Sequence, residues 1–363
     1  MLFTKKLSFF SLIFIALICF SCNRIQNLSP LATQKNDSTV KHGKMIARIM
    51  FYNCENFFDT QHDSLKNDYE FLPDGKKHWT KQHYWDKVNR IAKTIIAVGK
   101  WKPPAIIGLC EIENKHTLLS LVGYSPLKKL HYRVIHKESP DRRGIDVGIL
   151  YQPNQFTPLD TNWYTIRFPF ATRSKTRDLL YVKGLLKNKD TLHFFVNHWP
   201  SRWGGQKNTE PKRLFVAKFL RSKADSILQK DSTANILIMG DFNDHPDDIS
   251  ITQGLQAGHQ YSANTNNALY NLSYRLMKAG EGSYKYHGHW EILDQIIISG
   301  GLLYGNEHLR ISLTDAHIFK ADFLLENDER YTGTKPFRTY IGYKYNNGFS
   351  DHLPIFVDIH QIH

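Results

Sequence analysis

The 363-residue chain has only four cysteines, one long apolar run, and no repeat, coiled coil or low-complexity tract. Cys19 and Cys22 fall at the end of the apolar run, so the folded part can form at most one bridge, Cys54–Cys110. That excludes a fold held together by disulfides. Cys54 and Cys110 each lie in an apolar, strand-like run. Buried free thiols are the expectation there, with a bridge in an oxidising compartment as the alternative. The apolar run, Leu7 to Phe20, is too short and too one-sided for a membrane span. Disorder is excluded by an aromatic content of 13%, including 18 Tyr and 22 Phe.

The N-terminus does carry an address. Lys5 and Lys6 precede the apolar run, the order of a secretion signal. The run closes on Ile18-Cys19-Phe20-Ser21-Cys22, and small Ser21 before Cys22 resembles a bacterial lipoprotein cleavage site. Residues 1–21 are therefore expected to be a signal peptide and Cys22 the lipidated residue. Residues 22–44, rich in Asn, Gln, Ser, Thr and Lys, are expected to be a polar tether. The expected location is a membrane surface, periplasmic or outside the cell, with simple secretion as the alternative. A net charge of +13 leaves the body strongly basic even without Lys5 and Lys6. Such a surface favours nucleic acid, anionic headgroups or phosphorylated sugars, although basic charge also serves solubility alone.

Residues 45–363 read as one α/β domain. Strands are expected at 46–53, 105–110, 132–136, 145–151, 179–186, 192–197, 236–239, 290–299 and 353–359. A helix is predicted over His83 to Val98, with Trp85, Val88, Ile91, Ala92 and Ile95 on one face. A second follows over Thr209 to Gln229, with Glu210-Pro211 at its start. Short helices are expected after Asn114 and Pro246. Residues 258–286 and 315–349 are expected to be irregular.

Polar residues recur where these strands end. Ile236-Leu237-Ile238-Met239 runs into Gly240, read as a sharp turn, and then Asp241, Phe242 and Asn243. Ile106 to Cys110 delivers Glu111, a carboxylate suited to a hard cation, with Glu113 two residues on. Val196-Asn197-His198-Trp199 places a histidine at another strand end. Ser350-Asp351-His352 precedes the final strand, and Asp294, read as lying inside a strand, is the carboxylate expected to orient His352. Arg143, Arg177 and Arg202 stand near the expected mouth as phosphate contacts. Any one of these has an ordinary structural reading; their number and placement argue for phosphoester chemistry.

The ordered set Tyr52-Asn53, Leu109-Cys110-Glu111, Asn197-His198, Gly240-Asp241-Phe242-Asn243, Leu293-Asp294-Gln295 and Ser350-Asp351-His352 resembles the endonuclease/exonuclease/phosphatase superfamily, of the deoxyribonuclease-I-like kind. The resemblance spans residues 47–359. It implies a four-layer α/β sandwich, with two mixed β-sheets packed face to face and flanked by helices. It also implies a metal site of Asn53, Glu111 and Asp351 holding Mg²⁺, with Mn²⁺ or Ca²⁺ as alternatives. Asp241 would align the attacking water and Asn243 would hold a phosphate oxygen. His352, oriented by Asp294, and His198 would serve acid/base work and charge stabilisation.

The expected activity is hydrolysis of a phosphodiester by direct water attack in a monomeric, membrane-anchored or secreted endonuclease. A phosphodiesterase or phosphatase acting on phospholipid headgroups or inositol phosphates is the alternative, followed by a non-catalytic binding module of the same fold. Against the inositol-phosphatase branch, Asn243 is followed by Asp244-His245, and the later strand reads Leu293-Asp294-Gln295.

Overall fold

The computed structural model describes residues 43–259, 267–304 and 308–362. The expected signal peptide, Cys22 and nearly all of the tether lie outside the described residues. Ten strands carry the architecture: β1 (Lys44–Phe57), β2 (Ile106–Ile112), β3 (Arg133–His136), β4 (Asp146–Tyr151), β5 (Phe156–Tyr164), β6 (Leu179–Leu186), β7 (Thr191–His198), β8 (Ile236–Asp241), β9 (Asp294–Ser299) and β10 (Ile355–Gln361). Three main helices accompany them: α1 (Lys81–Gly99), α2 (Lys115–Tyr124) and α3 (Gln206–Leu228).

The strands form two mixed sheets. The first runs β10-β1-β2-β4-β3, with the short strands Leu309–Arg310 and Ala316–Ile318 both against β10. The second runs β5-β6-β7-β8-β9 and is extended by Leu269–Asn271 and Ala257–Gly258. Each sheet contains a parallel pair, β1 with β2 and β7 with β8, flanked by antiparallel strands. The carboxyl ends of the parallel strands and the amino ends of β9 and β10 therefore share one edge.

Side-chain alternation sorts the core into three layers. Ala47, Ile49 and Phe51 of β1 pack between the sheets with Phe194 and Val196 of β7, Leu237 and Met239 of β8, and Ile296 and Ile298 of β9. The intervening Met50, Tyr52 and Cys54 face α1, which buries Tyr84, Val88, Ile91, Ala92, Ile95 and Val98 against them. Phe195, Ile236 and Ile238 meet Val216, Ala217, Leu220 and Ala224 of α3. Helix, sheet, sheet, helix is the four-layer order expected from sequence.

Several expectations change. Trp85 is exposed and Tyr84 takes its place on the buried face of α1. Helix α3 starts at Gln206, so Pro211 lies inside it rather than at its start. The expected strand over 290–299 is broken: His289–Glu291 pairs with Tyr284–Tyr286 as a hairpin, and β9 begins at Asp294. Asp294 is thus the first residue of its strand. The segments expected to be irregular contain a helix, Ser273–Lys278, and two further hairpins, Leu325–Asn327 with Thr334–Pro336 and Tyr340–Ile341 with Lys344–Tyr345.

Strand β5 went unread because it is an edge strand, with Pro158 and alternating polar residues in place of an apolar run. Cys54 and Cys110 are free and buried on opposite faces of the first sheet, one toward α1 and the other between the sheets, which rules out the bridge.

Candidate active site

The alternation that builds the inter-sheet core also aims the site. Asn53, His198, Asp241 and Asp294 each stand two residues along from an inter-sheet residue: Phe51, Val196, Met239 and Ile296. They point into the same space, where each strand emerges from the core. His198, Asp241 and Asp294 sit side by side, since Asp241 pairs with His198 on one neighbour and with Asp294 on the other. Glu111 breaks the alternation. Its φ of +58° accompanies a register shift between Cys110 and Ile112, which re-aims a side chain that regular pleating would send toward the helices.

Gly240 is not the turn expected from sequence. It lies within β8, where an added Cβ would come 2.3 Å from the Asn197 carbonyl oxygen, so glycine is required by the close approach of β7. The chain turns instead at Asn243, with φ of +52°.

Asp241 is the hub. Asn53 Nδ2 donates to its Oδ2 at 3.1 Å, and the Asn243 amide donates to its Oδ1 at 2.9 Å. His198 Nε2 lies 3.6 Å and His352 Nε2 3.9 Å from the same Oδ2. His352 Nδ1 meets Asp294 Oδ2 at 2.6 Å, and the Ser283 hydroxyl donates to that oxygen at 2.6 Å. The Tyr284 ring packs on the His352 imidazole with centroids 4.8 Å apart. Glu111 Oε2 accepts from the Asn56 amide at 2.8 Å, while Oε1 lies 4.0 Å from His198 Nε2.

These surroundings drive the two histidines in opposite directions. Burial, reinforced by Arg177, Arg143 and His352, holds His198 well below its ordinary value and therefore neutral. Burial also opposes charge on His352, but Asp294, its hydrogen bond, Asp241 and Asp351 together outweigh it and hold the imidazole well above its ordinary value. Burial pushes the Asp241 carboxyl up to about 6, against the pull of His352. Two imidazoles of opposite protonation on either side of one carboxylate are equipped to accept a proton and to donate one.

Glu111, His198, Asp241, Asn243, Asp351 and His352 line one cleft of ≈ 620 Å³, together with Arg143 and Arg202. Asn53 and Asp294 support this wall from behind rather than lining it, and both are 1% exposed. Asn243 Nδ2 donates to the Trp199 carbonyl at 3.1 Å, which occupies one donor of the amide expected to hold phosphate. Arg202 is anchored by Glu291 at 3.1 Å, Asp248 at 3.3 Å and the Asn243 carbonyl at 2.7 Å. Arg177, expected as a phosphate contact, is not among the residues that line this cleft. It is buried away from the cleft, donating to the carbonyls of His198 (3.1 Å) and Trp199 and pairing with Asp141 at 3.3 Å. These contacts tie Arg177 to the His198 strand end.

The sequence reading also missed neighbours. Arg338 bridges Asp351 (2.9 Å) and Glu55 (3.6 Å), and the Glu55 carboxylate accepts from the Thr339 amide at 2.6 Å. The Asn53-Cys54-Glu55 spacing was the available signal for Glu55, whereas Arg338 lies in a segment with no apolar pattern to place it. Trp203 and Tyr286 line the cleft while remaining 90% and 55% exposed.

Asp241, Asp294 and His352 offer ligand atoms within 4.8 Å of one another, a triad able to hold a metal. With Glu111 and Asp351 on the same cleft, the donor set is dominated by carboxylate oxygen, which suits a hard divalent cation. Fold and site together define a metal-dependent phosphoesterase. The sequence matches the Endonuclease/Exonuclease/phosphatase family over residues 48–361, and the chain belongs to that family.

Among solved structures, the chain is similar to the human Nocturnin catalytic domain with bound sulfate, at 16% identity and TM-score 0.51 over 88% of this chain and 96% of that one. A Bacteroides thetaiotaomicron mannosyl-6-phosphatase gives 14% identity and TM-score 0.53 over 86% and 99%. Truncated Caenorhabditis elegans TDP2 gives 15% and 0.52 over 86% and 97%. At such identities the likeness establishes the fold. No curated protein matches the chain.

Proposed function

We propose that the enzyme hydrolyses internal phosphodiester bonds of nucleic acid by direct attack of water. The observation that carries this reading is the continuity of the cleft with a basic shelf. Arg143 lines the cleft and also an adjoining depression formed with Arg142, Arg173 and Lys175. A small phosphomonoester fills the cleft alone, whereas a polyanionic strand engages both. On the other rim, exposed Trp203 and Tyr286 offer ring faces on which bases can stack.

Glu111 and Asp351 would hold Mg²⁺, with Mn²⁺ or Ca²⁺ as alternatives, and Asn53, behind the cleft wall, would support the site through its 3.1 Å hydrogen bond to Asp241. When bound, such an ion neutralises charge on the phosphoryl oxygens. Asp241 aligns the water, His352 stays protonated through Asp294 to meet developing negative charge, and neutral His198 and Asn243 face the phosphate.

The test is a panel of plasmid DNA, RNA, sphingomyelin and inositol phosphates with Mg²⁺, repeated in EDTA. Nucleic acid should be cleaved internally, cleavage should stop in EDTA, and Glu111→Gln should abolish it at saturating Mg²⁺. Turnover confined to lipid or inositol phosphates would select the alternative reading. Cleavage should also weaken steeply as salt rises, because phosphate contacts release counterions.

Among the described residues no helix is long and apolar enough to cross a membrane. We infer from Lys5-Lys6, the Leu7–Phe20 run and Ser21-Cys22 that the chain is exported and held at a membrane by lipid on Cys22. Cys22→Ser should move the protein from the membrane pellet to the soluble fraction; an unchanged distribution would remove the anchor.

A further inference from the structure

A second cluster of ligand-type side chains lies outside the cleft, where β3 turns into β4. His136 closes β3 and Asp146 opens β4, and Glu138 lies on the turn between them. One ligand atom from each of the three falls within 4.8 Å of the others. The His136 and Asp146 side chains are each 1% exposed, and His136 Nε2 stands 3.3 Å from Asp146 Oδ2. Neither atom makes a hydrogen bond among the described residues. The other oxygen of Asp146 is satisfied by the Ser139 amide at 2.9 Å.

Two buried polar atoms that face each other at 3.3 Å without forming a hydrogen bond are costly, and a cation shared between them would satisfy both. The Lys66 ammonium does not fill that need, since it donates to the carbonyls of Ser139 (2.7 Å) and Asp141 (3.1 Å).

We propose that His136, Glu138 and Asp146 form a second divalent-cation site that takes Zn²⁺ and pins the turn between β3 and β4. One imidazole with two carboxylates is a mixed nitrogen and oxygen donor set, which Zn²⁺ accepts and which Ca²⁺ and Mg²⁺, preferring oxygen alone, do not favour. The turn it fixes carries Asp141, which holds Arg177 against the His198 strand end, and Arg143, which lines the cleft. Zn²⁺ at this position therefore sets the placement of the basic shelf without touching the reacting groups.

The experiment uses the full chain carrying Glu111→Gln and Asp241→Asn, so that Zn²⁺ binding at the cleft is weakened, and titrates Zn²⁺ by calorimetry. One equivalent should bind, and adding His136→Gln should weaken that binding at least tenfold. Should His136→Gln fail to fold, Glu138→Gln on the exposed turn gives the same comparison. No Zn²⁺ binding by the cleft-disabled protein, unchanged binding after either substitution, or tighter binding of Ca²⁺ than of Zn²⁺ would each overturn the proposal. None of these outcomes depends on what the cleft hydrolyses.

Discussion

Asp241→Asn is expected to lower kcat by about 10³-fold, the scale of losing a positioned acid/base or charge-stabilising group. The substitution keeps shape and size. It removes the charge from an oxygen that takes a hydrogen bond from Asn53 and stands within 4 Å of both histidines. The variant should also be at least as stable as the parent near neutral pH. Burial pushes the carboxyl up to about 6, so at higher pH the folded state bears the cost of a charge it disfavours, and a neutral amide relieves it. Thermal melts and single-turnover kinetics on the same preparations decide the matter. Full activity would remove Asp241 from the chemistry, and a markedly lower Tm would show that the loss was structural.

Arg213→Met should cost about 3–5 kcal/mol of stability, the scale of breaking one side of a buried ion pair. Arg213 is fully buried in α3, and its Nε lies 2.7 Å from Asp244 Oδ2. Removing it leaves a carboxylate that is 1% exposed, just past the end of β8, with only the Ser250 hydroxyl at 2.6 Å and the Arg202 guanidinium at 3.8 Å to offset its charge. The guanidinium also donates to the carbonyls of Pro200 at 3.4 Å and Ser201 at 3.5 Å, tying the loop that carries Trp203 to its helix. Denaturant melts should show the loss, and a second change, Asp244→Asn, should restore part of it. A variant as stable as the parent would mean that the pair contributes little beyond its own desolvation.

How far the sequence reveals this site follows from strand alternation. His198, Asp241 and Asp294 fall in register with apolar residues two and four positions away, so a period-2 reading places them between the sheets. Glu111 defeats that reading, because its positive φ reverses the face its side chain takes, and no apolar pattern announces a bulge. Arg177 shows a different limit of the sequence. An arginine before a strand looks like a phosphate contact until its partners are known, and here they are two carbonyls and Asp141. The edge strand β5 and the short hairpins after residue 280 stayed hidden because partly exposed strands carry mixed, polar sequence. Trp203 and Tyr286 could be located only once the cleft had walls.

Strand β10 is the last of the ten along the chain, yet it lies inside the first sheet, between β1 and Leu309–Arg310. His352 stands just before it, and Ser350 ties that approach to β1 through a 2.7 Å hydrogen bond to the Asn53 carbonyl. Everything through β9 precedes both His352 and the strand that completes the first sheet. The wall of the cleft that bears Asp351 and His352 therefore depends on the last segment of the chain docking on the first sheet.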